Sequence, residues 1–384
     1  MAIAAKGDIP KEPEEGIGLC LSGGGYRAMI FHLGTLRRLN EAGLLGKISR
    51  ISSVSGGSIT AAHLGLKWSG LDFDATGRAR KLDTIVADIR RMASTDVDAG
   101  AIIGGILLPG TIADRVAAAY AKTLFGEATL QDLPDDTGGK APRFVINSTN
   151  VQSAALWRFS RRYMGDYRVG LVPQPTTKLA VAVAASSAFP PVLSPLELPV
   201  TQPWDPTFPA DLTGPEFRGR IVLSDGGVYD NLGLETVFKR YRTVLVSDAG
   251  QKIEPEVDPK DDWARHSIRI MNITDNQVRS LRKRELIDAY ERGDHSGAYW
   301  GIRTDFANYG LAADPLGCAG RDPARLAEIP TRLAAMPAAE QDALINWGYA
   351  ITDAALRAHF GPALQKQYGV TIAAPKGFPC PGGY

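Results

Sequence analysis

Three short stretches hold residue types that could act together in nucleophilic chemistry. They are Ser53-Val54-Ser55-Gly56-Gly57, Ser22-Gly23-Gly24-Gly25-Tyr26-Arg27 and Ser224-Asp225-Gly226-Gly227. Ser55 stands between an apolar run, Ile48–Val54, and a helix-like run, Ser58–Lys67. A serine at the apex of a sharp strand-to-helix turn is lifted out of the sheet, and the positive end of the following helix favours negative charge beside it. The usual elbow reads G-x-S-x-G, and here it reads S-x-S-x-G. Ser53 and Gly57, two before and two after Ser55, are small enough for the turn to close. A serine in this place can equally be a plain helix N-cap.

The glycine loop admits two chemical readings. G-x-G-x-x-A is matched by Gly23, Gly25 and Ala28 after a strand and before a helix, as in a dinucleotide site. That site needs an acidic residue at the end of the second strand, and here Ser53-Val54-Ser55 stands there instead. The other reading is an oxyanion hole, in which the amides of Gly23, Gly24 and Gly25 converge on one point. Serine in place of the acid favours this second reading over the first, and a tight turn with no chemistry is the plain alternative. Arg27 falls in the first turn of the helix, where a cation is unfavourable by about 0.3–1 kcal/mol. It therefore binds a substrate phosphate, braces the loop or is solvated at the surface.

Asp225 follows a strand-like run, Ile221–Leu223, and precedes Gly226 and Gly227. Its expected place is the carboxyl edge of a sheet, where open α/β folds put their sites. Asp248, after Val244–Ser247, is the rival. Asn231 reads as a cap for a helix over Leu232–Arg240. A Ser–Asp–His triad would need a histidine after Asp225. His295, in a polar turn, is the candidate, whereas His266 and His359 look structural, as do His32 and His63 on the early helices.

The elements that must hold these residues follow from the apolar pattern. Gly16–Leu21 predicts a first strand, followed by a helix to about Ala42 that Gly43 ends. Ile48–Val54 and Ser58–Lys67 complete a βαβα start, which implies a parallel sheet covered by helices. Further helices are expected over Asp83–Met92, Ala113–Phe125, Leu179–Ser187, Val278–Arg292 and Pro337–Phe360. Further strands are expected at Phe144–Asn147, Val244–Ser247 and Ile268–Ile273, and an irregular loop over 193–219. The fold class is thus α/β, a three-layer α/β/α with a mainly parallel central sheet. The segments are a mobile arm over 1–15, a catalytic domain over 16–300 with an insert over about 69–140, and a mostly helical extension over 301–384 packed on it. Within the insert, Ala99–Ala113 is apolar and glycine-rich, and suits core, an acyl channel or a lid.

The chain has 384 residues, 44% hydrophobic and 22% charged, with net charge +1, which describes a soluble globular protein with no call for a nucleic-acid polymer as partner. Three widely spaced cysteines match no metal spacing and suit a reducing cytosol. No stretch reaches the ~18 clean apolar residues of a membrane span. A lipid substrate would be met at the membrane surface.

Together, Gly23-Gly24-Gly25-Tyr26-Arg27, Ser53-Val54-Ser55-Gly56-Gly57 and Asp225-Gly226-Gly227 resemble the patatin-like phospholipase family. That family pairs a G-G-G-x-[RK] loop with a G-x-S-x-G serine and a D-G-[GA] aspartate. The run from Ala184 to Pro191 is similar to its small-residue segment before a proline pair. The resemblance covers roughly 20–250, departs from the family at Ser53, and does not extend past about 300.

The resemblance implies a Ser55–Asp225 dyad with Gly23, Gly24 and Gly25 as oxyanion loop, supported by Arg27, Gly57 and Gly227, and no cofactor or metal. It implies fatty-acyl ester hydrolysis on glycerophospholipids, by an enzyme that is cytoplasmic and peripheral to the membrane when active. Two alternatives stand beside it. Some bacterial members are effectors switched on by a cyclic nucleotide, sometimes as homo-oligomers. The same loop could also serve a non-catalytic lipid- or nucleotide-binding module.

Overall fold

The computed structural model describes residues 12–97, 111–251 and 253–384. Strand β1 (Glu14–Leu21) begins two residues before the expected start and is followed by α1 (Gly25–Glu41), β2 (Ile48–Val54) and α2 (Gly56–Lys67). Most of the 1–15 arm and of Ala99–Ala113 lies outside the described residues. The 69–140 region contributes α3 (Leu82–Ala93) and α4 (Ile112–Tyr120), both packed on the core by one apolar face. Strand β3 (Arg143–Asn150) then opens an antiparallel meander, β4 (Ala155–Phe159), β5 (Tyr163–Asp166) and β6 (Gly170–Pro173). Helix α5 (Leu179–Ser186), β7 (Leu196–Pro199), β8 (Arg220–Asp225) and β9 (Tyr241–Asp248) follow. The chain then forms α6 (Trp263–Glu291), β10 (Ser296–Gly301), α7 (Ala338–Ala355) and α8 (Gly361–Tyr368).

The ten strands among the described residues form one mixed sheet. Its central run, β10-β9-β1-β2-β3, is parallel throughout, and helices cover it on both faces, as the βαβα start requires. Beyond β3 the pairing turns antiparallel. Strand β3 carries β4 along one edge. Its other edge is shared. β2 occupies it up to Val54, opposite Asn147, and β8 arrives from the opposite direction with Asp225 opposite Ser148. β2 and β8 therefore meet end to end on neighbouring residues of β3.

Several expectations need correction. Ile268–Ile273 is not a strand but part of α6, a continuous helix that Asp262 caps by accepting the Arg265 amide. The tenth strand is Ser296–Gly301, whose glycines and serine hid it. Of the helix expected over Leu232–Arg240 only Glu235–Phe238 is helical. The 193–219 stretch contains β7 and a helical turn at Pro215–Arg218.

Helix α1 is buried along nearly its whole length between the sheet and α7. The two helices touch through glycines. A Cβ on Gly34 would lie 2.0 Å from the Ile345 carbonyl, and one on Gly348 would lie 2.1 Å from the Phe31 carbonyl. At the end of α1, buried Arg38 pairs with buried Asp353 of α7 at 2.7 Å. The C-terminal part of the chain is thus bound into the same core as the first strand.

Candidate active site

Ser55 caps β2 in a conformation that side-chain-bearing residues rarely adopt, φ 51° and ψ −120°. Such backbone costs about 1–3 kcal/mol and is retained where neighbours over-determine it. The neighbours are visible. The Ser55 amide donates to the Ser186 hydroxyl (2.9 Å), which donates in turn to the Asn147 carbonyl (2.6 Å). A Cβ on Gly56 would meet the Gly25 carbonyl at 2.0 Å, and one on Gly57 the Leu21 carbonyl at 2.4 Å. The elbow therefore rests directly on the glycine loop. Ser53 fits in the position usually held by glycine because its hydroxyl is buried and bonded, donating to the Val145 carbonyl and accepting from Ser58. The Ser55 hydroxyl makes no capping bond to α2, so it is not spent as a helix cap.

The glycine loop divides its work. The Gly23 amide donates to the Asn231 carbonyl at 3.1 Å, which corrects its expected role as an oxyanion donor. Gly23 instead allows close approach, since a Cβ there would stand 3.2 Å from the Ser55 Cβ and 2.3 Å from Asn231 Oδ1. The amides of Gly24 and Gly25 donate to no group among the described residues. Gly24 and Gly25 have φ of 141° and 60°, the region that favours glycine. Arg27 is a buried brace. It donates to the carbonyls of Ala249 (3.0 Å) and Ile329 and to the Thr331 hydroxyl (3.1 Å). Burial, and then the charge of Arg279, lower its pKa to about 10, so it stays cationic at neutral pH.

Asp225 is buried beside Ser55. Its Oδ1 accepts from the Gly227 amide at 2.6 Å, and its Oδ2 makes no fully formed hydrogen bond. Burial pushes its pKa up to about 7. The Gly227 amide and the nearby Ser55 hydroxyl favour the charged form, and the charge of Asp275 opposes it. A Cβ on Gly227 would crowd that Oδ1 at 3.0 Å. The tail of α5 holds both ends of the pair, for besides Ser186 under Ser55, the Ala188 carbonyl takes the Asp225 amide at 2.9 Å.

The rivals are placed elsewhere. Asp248 accepts from the Gly250 amide (2.8 Å) and the Tyr299 hydroxyl (2.7 Å), facing Arg279 on α6. His295 precedes β10, at the amino edge of the parallel sheet, bonded to the Tyr241 carbonyl and stacked on Phe238. His32 is buried between Ser247 and the Ser22 carbonyl, with its pKa lowered to about 4 by burial. No histidine lines either cavity at Ser55. Asn231, expected as a helix N-cap, follows a short helix at Gly227–Asp230 and braces Gly23.

Ser55 lies on the wall between two cavities. One, of about 440 Å³, carries most of the charged and polar side chains of the site, among them Asp225, Arg269, Asn272, Asp275 and Arg279. The other, of about 540 Å³, is mainly apolar and includes Phe189, Pro190, Val192, Leu193 and Leu333. The α6 residues and the 329–334 segment in these walls carry no motif, so sequence reasoning missed them. Ser186 falls within the small-residue run from Ala184 to Pro191, but its role needs the fold. Among the described residues no cluster of His, Cys, Asp or Glu is arranged to hold a metal, and no helix is long and apolar enough to cross a membrane.

The arrangement has relatives. Human GIVD cytosolic phospholipase A2 aligns with a TM-score of 0.54 at 14% identity, covering 94% of this chain and 60% of that one. The same human protein in complex with methyl gamma-linolenyl fluorophosphonate aligns at 0.51 and 15%, covering 92% and 58%. This chain thus spans about three fifths of those structures, and the likeness shows the α/β fold. No curated protein sequence matches. The model of the family described as Patatin-like phospholipase matches residues 19–238, more than half of the 384 residues, and on that footing the chain belongs to the patatin-like phospholipase family.

Proposed function

We propose that this chain hydrolyses fatty-acyl esters of membrane glycerophospholipids, with Ser55 as nucleophile and Asp225 as its base. One observation carries the reading. A strained, uncapped serine stands between an incompletely bonded, buried carboxylate and two unengaged amides, where a polar and an apolar cavity meet. Membership of a family of lipid acyl hydrolases supports it.

The Ser55 hydroxyl attacks the ester carbonyl carbon as its proton passes to Asp225. An ordinary aspartate, with pKa near ~3.9, is a weak base for this step, whereas one raised by burial is matched to neutral pH. The carbonyl oxygen becomes an oxyanion facing the Gly24 and Gly25 amides, and each such donor is worth about 2.7–4 kcal/mol. Collapse expels the lysolipid alkoxide, which takes the proton from Asp225 and leaves an acyl ester on Ser55. Water, deprotonated by Asp225, releases the fatty acid and restores the serine. The apolar cavity suits the acyl chain and the polar one the glycerol and headgroup.

The test is a phosphatidylcholine hydrolysis assay with product masses. Wild type should yield lysolipid and fatty acid, and Ser55→Ala should yield neither while remaining folded. A Ser55→Ala protein that keeps turnover sinks the proposal. Labelling of Ser55 by an alkyl fluorophosphonate separates it from a non-catalytic binding module.

A second reading, gating by a cyclic nucleotide, is favoured by a third cavity of about 660 Å³ further along the same face of α6, toward its C-terminal end. Tyr290, Tyr299, Tyr309, His359 and Lys283 line it. Tyr299 bonds Asp248, which faces Arg279 of the catalytic cavity, so an occupant has a physical link to the site. Hydrolysis measured with and without cyclic dinucleotides, alongside light scattering, tests gating and assembly. Equal rates in both conditions end this reading.

A further inference from the structure

Helix α6 (Trp263–Glu291) leaves Trp263, Ile270 and Ile273 exposed and sets Asn272, Asp275, Asn276 and Arg279 on the cavity that contains Ser55. That cavity has three cations in its walls, Arg27, Arg269 and Arg279, and they differ in what already engages them. Arg27 is spent. It is fully buried, and each of its three guanidinium nitrogens donates to the protein, to the carbonyls of Ala249 and Ile329 and to the Thr331 hydroxyl. Arg269 pairs with Glu256 at 3.2 Å and donates to the Glu254 carbonyl at 2.8 Å. Arg279 is held without being neutralised. Its Nη2 donates to the Gln251 carbonyl at 2.7 Å and more weakly to Asn276 Oδ1 at 3.4 Å. The carboxylate facing its Nη1 is Asp248, at 4.0 Å, the outer limit of an ion pair. Asp248 is satisfied from other sides, by the Gly250 amide and the Tyr299 hydroxyl. A Cβ on Gly250 would stand 1.9 Å from that Nη1, so glycine there leaves open the slot in which the guanidinium lies.

We infer that Arg279 holds the headgroup phosphate of the substrate while Ser55 attacks its acyl ester, which makes this chain selective for phosphodiester lipids over neutral glycerides. The inference rests on the function proposed above. In a glycerophospholipid only glycerol carbons separate the phosphate from the ester, so the cavity that presents Ser55 must take the phosphate as well. A guanidinium suits it, because parallel N–H groups match two phosphate oxygens. The charge of Arg279 lowers the pKa of Arg27, so the two cations act on one space, and an anion entering it is attracted by both. Arg27 has no nitrogen to spare for that anion, whereas Arg279 offers Nη1. The acids on the same wall leave the place open. Glu256 is paired to Arg269, and Glu254 to Arg303 at 3.1 Å. Asp275, one turn before Arg279, is the counter-charge that keeps this wall from favouring a headgroup with a second negative charge.

The experiment uses the full chain and short-chain lipids dissolved as monomers, dihexanoyl phosphatidylcholine and dihexanoylglycerol, so that no bilayer enters the comparison. Wild type should hydrolyse the phospholipid with the higher kcat/KM. Arg279→Gln should lower the ratio of the two kcat/KM values by at least about tenfold. Arg279→Lys should keep most of the ratio, since a cation remains. Arg27→Gln should slow both substrates alike, as the loss of a brace does. An unchanged ratio in Arg279→Gln overturns the inference, and so does a ratio that falls in Arg27→Gln instead. Glycerophosphocholine, which has the phosphodiester without acyl chains, should compete with substrate in wild type. Absence of that competition overturns the inference even where Arg279→Gln fails to fold. Stronger competition by inorganic phosphate assigns the site to the free anion and overturns the headgroup role. The proposed function is read separately, by calorimetry on Ser55→Ala. If wild type hydrolyses neither lipid, yet Ser55→Ala binds the phospholipid more tightly than the glyceride and Ser55→Ala/Arg279→Gln binds both alike, the phosphate site stands and the proposed function falls. Equal binding of the two lipids by Ser55→Ala, again with no hydrolysis, overturns both.

Discussion

Two helices flank Ser55, and they are built in opposite ways. α1 carries the glycine loop at its head and is buried along nearly its whole length. It is locked to α7 by Gly34, Gly348 and the Arg38–Asp353 pair. α6 walls the polar cavity, buries two residues near its end and exposes its apolar stripe. Under the proposed function, groups that must be placed to a fraction of an ångström sit on the buried side, and groups that would meet the variable parts of a substrate sit on the exposed side. Positioning of an oxyanion loop needs a neighbourhood with no room to relax, whereas a wall that admits lipid need only be the right polarity.

The contrast can be broken or sharpened by experiment. The largest effect belongs to the rigid side. Ser55→Ala and Asp225→Asn should each lower kcat for ester hydrolysis by about a thousandfold or more with folding intact. If Asp225→Asn keeps near-wild-type turnover, or if His295→Ala is the change that abolishes it, the dyad is wrong. Next comes the α1–α7 contact. Gly34→Leu drives a side chain into the Ile345 carbonyl and should destabilise the protein by about 3 kcal/mol or more in urea titration. An exposed α6 position such as Gln277→Leu should stay within about 0.5 kcal/mol, and equal losses at the two places would erase the comparison.

Titration gives a third test. With its pKa raised to about 7, Asp225 should set an acid limb in kcat/KM near neutral pH, activity rising as the carboxylate forms. The stability consequence has the opposite sense. Between the unfolded pKa and about 7 the folded state holds the extra proton, so stability falls as pH rises through this window. Asp225→Asn should therefore unfold at higher temperature than wild type at pH ~8, and the gap should narrow near pH ~4. The smallest effect lies on α6. Asp275→Asn removes a like charge from the cavity and should move the acid limb to lower pH by a few tenths of a unit or more, with kcat at its plateau little changed. Amide hydrogen exchange orders the two helices directly, with α1 expected among the slowest segments and residues 263–280 among the fastest.

Much of the site was legible because its chemistry is local. A glycine run before a helix, a serine at a strand-to-helix turn and an Asp-Gly-Gly after a strand are each contiguous, and each constrains its own backbone. The βαβα start was legible for the same reason. What escaped were strands with little apolar content, such as Ser296–Gly301, and helices whose apolar residues do not face the core. Ile268, Ile270 and Ile273 read as a buried strand because sequence patterns assume that apolar residues point inward, and α6 turns Ile270 and Ile273 outward while Ile268 lines a cavity.

The sequence by itself determined which side chains and which turn geometries were available: Ser55 on an elbow, Gly24 and Gly25 with amides that can converge, Asp225 ahead of two glycines. Only the tertiary structure decided how they meet. Asp225 reaches Ser55 from an antiparallel strand that abuts β2 on the shared edge of β3, a meeting of residues about 170 positions apart at the place where the sheet changes from parallel to antiparallel. The same is true of the Gly23 amide, taken by Asn231, of Arg27, held by the chain near 329–331, and of the pKa of Asp225. Each depends on burial and on partners distant in sequence, and desolvation is a property of the packed neighbourhood rather than of the residue.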